Sequence, residues 1–160
     1  MQAEQTQRSC CFIGHRRTPE TEELAKRVYS IVEDLILRKN VETFLFGSKS
    51  RFNSLCYEQT TKLKEKYPHI RRIYVRAEFS QINESYLAYL LERYEQTYYP
   101  KKAIHAGKAA YILRNREMID KSEFCVVYFQ EACLPKARRS GTKAALDYAI
   151  KRNKAVILLP

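Results

Sequence analysis

A chain of 160 residues is long enough for one domain with its own core and too short for two of ordinary size. Hydrophobic residues make up 45% and charged residues 29%, and four glycines and five prolines exclude collagen-like, low-complexity and disordered classes. A formal net charge of +11, from 29 Lys and Arg against 18 Asp and Glu, favours anionic partners, either small phosphorylated ligands or nucleic acid.

Residues 1–8 read as a polar N-terminal tail, and no apolar run approaches the roughly 18 residues of a membrane span. A cytosolic protein without membrane contact is expected. The five cysteines form no CxxC pair and no Cys/His set with zinc spacing, so neither a metal nor a cofactor is called for. Cys10, Cys11 and Cys125 belong to apolar strands as small hydrophobes, and Cys133, in a polar loop, is the thiol to test for reactivity.

In Cys10-Cys11-Phe12-Ile13-Gly14-His15-Arg16 a short apolar run ends at a glycine and two polar residues, which predicts a buried strand and a turn. In an open α/β sheet ligands sit outside the carboxyl ends of the strands, which puts Gly14, His15 and Arg16 at the crevice. A glycine turn with two solvated polar residues fits the same heptad. Thr18-Pro19 then predicts a capped helix start, with Leu24, Val28, Ile31, Val32, Leu35 and Ile36 at helical spacing and Arg38-Lys39-Asn40 closing the element.

Residues 43–46 predict the second strand, ending in Gly47-Ser48-Lys49-Ser50-Arg51. A phosphate loop would need glycine at positions 43 and 48, where the chain has Thr43 and Ser48, so this is no Walker motif. What remains is a glycine turn with two cations and two hydroxyls before a helix that starts near Phe52. It reads equally as an anion cradle or as a polar strand-to-helix loop. Leu55, Gln59, Leu63 and Tyr67 trace one row of that helix, and Pro68 ends it.

Residues 70–78 form the third strand, where Ile73, Val75 and Ala77 alternate with Arg72, Tyr74 and Arg76. Alternation predicts one wet face and hence an edge position. Residues 79–121 form a long crossover of two helices, interrupted at 94–100, with several of the twelve tyrosines, which read as core or rim residues. In the second helix, 108–121, Asn115 shares a row with Ile112 and Ile119 and needs a polar partner, with Arg114 beside it, and Asp120 pairs with Arg116 at i, i+4 spacing.

The continuous apolar run 124–129 predicts a central parallel strand beside the first. A polar loop to residue 140 carries Lys136, Arg138 and Arg139. Ser140-Gly141-Thr142 then opens a helix before the last strand at 155–159. A Ser-Gly-Thr helix start next to a basic loop is the best anion site that residue types alone provide, and an ordinary N-cap is its alternative. The elements add up to an α/β fold of about five strands as a single domain over residues 1–160.

The order of Phe12-Ile13-Gly14-His15-Arg16, Phe46-Gly47-Ser48, Arg114-Asn115-Arg116-Glu117-Met118-Ile119-Asp120 and Ser140-Gly141-Thr142 resembles the small single-domain SLOG proteins of bacteria. These belong to the Rossmann-like superfamily of the DNA-processing protein of natural transformation and the cytokinin-activating phosphoribohydrolases. The resemblance spans residues 10–159 and implies a doubly wound parallel sheet with helices on both faces. It also implies a ligand site, for a nucleotide or an ADP-ribose-like derivative, formed by Gly14, His15, Arg16, Gly47, Ser48, Lys49, Arg51, Arg114, Asn115, Ser140, Gly141 and Thr142. A homodimer is a further implication.

The chain departs from those relatives after the second strand, where Ser50-Arg51-Phe52-Asn53 replaces a richer glycine turn with an acidic residue. It also has Ala145 where the phosphoribohydrolases carry a glutamate. Binding or sensing of a nucleotide ligand is therefore the leading expectation. An N-glycoside or phosphoribosyl hydrolase using Glu78 or His15 is the enzymatic alternative, and single-stranded nucleic-acid binding, with an affinity that falls steeply with salt, is the third.

Overall fold

Side-chain alternation along the first strand decides the layering. In β1 (Arg8–Gly14), Cys10 and Phe12 face one side of the sheet and Cys11 and Ile13 the other, and all four are buried. A strand buried on both faces needs a helical layer above and below it. The computed structural model describes residues 8–47, 49–130 and 141–159. The tail before Arg8, Ser48, Cys133, Lys136, Arg138, Arg139 and Ser140 lie outside the described residues, and so do the expectations attached to them.

From β1 the chain runs through α1 (Glu22–Lys39), β2 (Val41–Phe46), α2 (Arg51–Lys66), β3 (Arg71–Val75), α3 (Glu84–Arg93) and β4 (Gln96–Tyr98). It continues through α4 (Ala110–Asp120), β5 (Phe124–Tyr128), α5 (Gly141–Lys151) and β6 (Ala155–Leu159). The six strands make one all-parallel sheet in the order β4-β3-β2-β1-β5-β6. Phe12, Phe44 and Phe46 pack with Leu24, Val28 and Val32 of α1, Phe52 and Leu63 of α2 and Leu90 of α3. Cys11, Ile13, Leu45 and Val127 pack on the opposite face with Met118 and Ile119 of α4 and Leu146 and Ala149 of α5. This is a Rossmann-like, doubly wound α/β fold.

The winding fixes where a ligand can enter. From β1 the chain moves outward to β4, and α4 then carries it back across the other face to β5 on the far side of β1. Strand order therefore reverses between β1 and β5, where Gly14 pairs with Tyr128 at the carboxyl ends. Loops leaving neighbouring strands there diverge to opposite faces and leave a crevice.

Several expectations need correction. The sheet has one strand more than the five read from the sequence, because β4 spans only three residues and leaves no periodic signal. β3 therefore lies between β2 and β4 rather than at the edge. Its alternation has another cause: Arg72 is largely covered, and its Nη2 pairs with Glu95 Oε2 at 3.2 Å just before β4. α1 begins at Glu22 with Thr21 as its cap, the hydroxyl accepting from Leu24 N at 3.1 Å. Thr18, the expected cap, instead donates its hydroxyl to the His15 carbonyl at 2.8 Å.

In α4 the buried residues are Ala110, Arg114, Met118 and Ile119, whereas Ile112 is 54% exposed. Of the Ile112-Asn115-Ile119 row read from the sequence, Ile119 is buried as expected and Ile112 is not, because the inward face also takes in Arg114. Asp120 does not pair with Arg116. It accepts from Arg152 Nε at 3.0 Å and from the Tyr148 hydroxyl at 2.9 Å, while Arg116 sits over the Tyr148 ring at 5.1 Å.

Cys10, Cys11, Cys56 and Cys125 are buried free thiols, and burial pushes the Cys10 and Cys56 thiols well above their ordinary range. They act as core residues.

Gly14 is required by packing, not by backbone conformation. A Cβ there would lie 2.3 Å from the ring of Phe52, which is itself fully buried. Gly14→Ala should therefore lower stability by about 1–3 kcal/mol, read as a fall in the urea midpoint at constant slope. Adding Phe52→Leu should recover part of the loss. An unchanged midpoint would show that the ring has room to move.

Candidate functional site

The loops at the carboxyl ends of β1 and β2 are tied together before any ligand is considered. Asn53, in the first turn of α2 and only 3% exposed, donates through Nδ2 to the Phe12 carbonyl at 3.2 Å. Its Oδ1 accepts the Gly47 N–H at 3.4 Å. The Arg51 N–H donates to the Arg16 carbonyl at 3.2 Å, and the Ser50 hydroxyl caps α2 by accepting the Asn53 N–H at 3.1 Å. Two of the free donors at this helix start are therefore consumed inside the protein. The Gly47 turn is a braced junction, and the Arg16 and Arg51 side chains are exposed at its rim.

Gly47 matters for a different reason from the one its turn suggests. A Cβ at this position would lie 2.6 Å from Arg114 Cδ and 2.7 Å from Met118 Sδ. The glycine opens a path by which the Arg114 side chain of α4 passes over the end of β2. Arg114 is 5% exposed. Its Nε donates to Asn115 Oδ1 at 3.0 Å, Nη1 makes a long contact with the Val75 carbonyl at 3.5 Å, and the guanidinium lies 5.8 Å from the Tyr111 ring centroid. Asn115 thus finds its polar partner in its neighbour.

Among the described residues Arg114 makes no ion pair with a carboxylate. Burial lowers its pKa, opposed by the electrostatic influence of Tyr74, Glu78 and Tyr111. Arginine keeps its proton even when desolvated, so a fixed positive charge sits at the carboxyl ends of β2 and β3 with few of its donors used.

Past the end of β3 lies a group that residue spacing did not assemble. A shallow, open depression that encloses no space of its own is lined by Tyr74, Arg76, Ala77, Glu78, Phe79 and Tyr86. Burial pushes the Tyr74 phenol up to about 12, so it stays protonated at neutral pH. Arg76 shapes the turn after β3 by donating to the Phe79 and Ser80 carbonyls and to Thr97 Oγ1, at 3.2–3.3 Å. That turn presents Glu78, whose Oε2 lies 3.2 Å from Lys49 Nζ. Tyr86 and Tyr111 both act electrostatically on Lys49, and Glu78 and Tyr111 act on Arg114.

His15 has an internal role. It is 6% exposed, and its Nε2 accepts the Gln130 N–H at 2.9 Å, which joins the end of β1 to the residue two beyond β5. A ring nitrogen that accepts has no proton, so the neutral form carries its proton on Nδ1. The ring tilts against Phe129 at 5.4 Å and meets Tyr128 edge-on. His15 and half-buried Gly14 thus form the floor between β1 and β5. Gly141 and buried Thr142 open α5, and among the described residues nothing lies within 4 Å of where a Gly141 Cβ would stand.

Comparison with protein-family models gives no match, and comparison with curated proteins gives none. The chemistry of the site has to be read from its own residues. Among the described residues no cluster of three or more His, Cys, Asp or Glu side chains could hold a metal ion. No helix among them is long and apolar enough to cross a membrane. The sequence reading named Gly47, Lys49, Arg114 and Asn115, which come together here, and missed Tyr74, Tyr86 and Tyr111. Their only signal was an excess of tyrosine near strand ends.

Burial depresses the pKa of His15, so the unfolded chain takes up this proton before the folded one does. Its contribution is complete above the ordinary histidine pKa and is lost as pH falls below it. Between pH 7.5 and 5.5 the urea midpoint of the wild type should fall more than that of His15→Gln. Equal falls would show that the ring protonates freely in the folded state.

Proposed function

We propose that this protein binds or senses a nucleotide or nucleotide-derived ligand, ADP-ribose-like in character, in the crevice at the carboxyl ends of the strands. The observation that carries this reading is Arg114, a guanidinium 5% exposed with no carboxylate partner among the described residues. A buried, unpaired charge destabilises the fold that holds it, and an anionic group of a ligand is the natural partner. The planar fork of arginine suits a phosphate in two-pronged contact.

Three further features agree. The net charge of +11 draws anions toward the molecule. Phe79, which lines the depression, and Tyr111, beside Arg114, are 60% and 48% exposed and offer ring surface on which a base can stack. The resemblance to SLOG proteins points to the same ligand class.

This reading makes stability and binding move in opposite directions on one substitution. Arg114→Met keeps most of the side-chain volume and removes the charge. Without ligand the variant should melt at or above the wild-type temperature. Wild type with ADP-ribose at a hundred times its dissociation constant should gain about 2.7 kcal/mol, and the variant should gain nothing measurable. Thermal unfolding with AMP, NAD and ADP-ribose checks both. An equal shift in the variant, or silence of the wild type with all three, would overturn the proposal.

A further inference from the structure

The connection between β4 and α4 carries charge of one sign only. Residues 96–116 include Lys101, Lys102, Lys108, Arg114 and Arg116 and no Asp or Glu. Apart from buried Arg114 these cations are exposed, and among the described residues the three lysines form no ion pair. Like charges left together repel one another, so an anionic surface laid against them relieves the repulsion.

The segment is held in one shape. Ala103 is fully buried and anchors it, its N–H donating to the Pro100 carbonyl at 3.0 Å. The Ala103 carbonyl accepts the Tyr99 hydroxyl at 3.0 Å and the Ala106 N–H at 3.1 Å. His105 and Gly107 then take φ of 64° and 61° on either side of Ala106, which makes a sharp tip. For His105, which has a Cβ, that left-handed conformation costs energy. Ile104 stands 45% exposed at this tip, in sequence between Lys102 and Lys108, and Ile112, four residues beyond Lys108, is 54% exposed.

Aliphatic side chains among lysines on an exposed tip fit the headgroup layer of an anionic membrane. Lysine is a flexible, strongly hydrated point charge that can follow mobile headgroups, and an isoleucine can enter the acyl boundary just beneath them. A nucleic acid calls instead for arginine forks and stacked aromatic faces, and Ile104 offers its phosphates nothing. Hydropathy argues against a membrane span, and a surface contact needs no span.

We infer that the tip between β4 and α4 is a peripheral membrane contact, in which Lys101, Lys102 and Lys108 engage anionic headgroups and Ile104 inserts between them. The contact is separate from the proposed nucleotide site and does not depend on it.

Flotation of the whole chain with vesicles of phosphatidylcholine, alone or with about 30% phosphatidylglycerol, tests it. The wild type should partition onto the anionic vesicles about tenfold or more strongly than onto the neutral ones, and Lys101→Glu/Lys102→Glu should lower that partition about tenfold. Lys26→Glu/Arg27→Glu makes the same change of net charge at exposed positions of α1, and it should lower partition by less than about threefold. Ile104→Ser should lower it about threefold or more while net charge stays the same. Equal binding to both vesicle types, binding to neither, equal losses in the two charge variants, or an Ile104→Ser variant as good as wild type would each overturn the inference. Silence of the vesicles beside a Lys101- and Lys102-dependent affinity for a short single-stranded oligonucleotide would overturn it in favour of nucleic acid.

Discussion

The cleft depends on one buried amide. Asn53 bonds to the main chain of β1 through the Phe12 carbonyl, to the end of β2 through the Gly47 N–H, and to its own helix cap at Ser50. Each such bond contributes about 1 kcal/mol net, but losing the amide would leave buried main-chain groups unsatisfied at a cost of about 1–3 kcal/mol apiece. The bracing sets the spacing between β1 and β2 at their carboxyl ends. Everything above that level, the Phe52 ring against Gly14 and the Arg114 stem against Gly47, fits only at that spacing.

The two glycines therefore work as space rather than as hinges. Neither has a positive φ. One admits an aromatic ring from below the sheet's carboxyl edge and the other admits a cation from above it, so helices from the two opposite layers converge on the same pair of strands. Close approach of backbone to ligand is the usual reason to expect glycine at such a turn. Here the approaching groups belong to the protein, and they build the floor and the charge of the site.

Much of the fold was legible because strands covered on both faces must be apolar throughout: residues 124–129 were read as central and parallel, and β5 pairs with β1 in register from Cys10 to Gly14. β4 was not legible because three residues carry no period, and β3 misled because Arg72 is covered by a partner from outside its strand. The site was harder for a related physical reason. Periodicity weighs apolar residues, so α4 was aligned on Ile112 and Ile119; Ile119 is buried, but the buried face runs on through Arg114 and leaves Ile112 exposed. A long cationic side chain with its stem in the core does not register as inward-facing on a hydropathy pattern. Glu78 and the tyrosines come from loops and helix faces whose proximity is set by crossover geometry, not by spacing along the chain.

The charge of this protein has two physically different parts. Most cations lie on the surface, many in exposed pairs such as Arg38–Asp34, Lys66–Glu33 and Lys143–Asp147, where water and salt reduce each interaction to a small value. They set the long-range field, which attracts any anion and distinguishes none. Arg114 is a single charge, but it lies out of water, where the same pair at the same distance interacts about four times more strongly than in bulk solvent. A field of +11 raises the encounter rate with all polyanions, whereas one desolvated guanidinium between a glycine and a ring of tyrosines has a size and a direction. On the function proposed above, selectivity for a small phosphorylated ligand comes from where one charge is buried rather than from how many the surface carries.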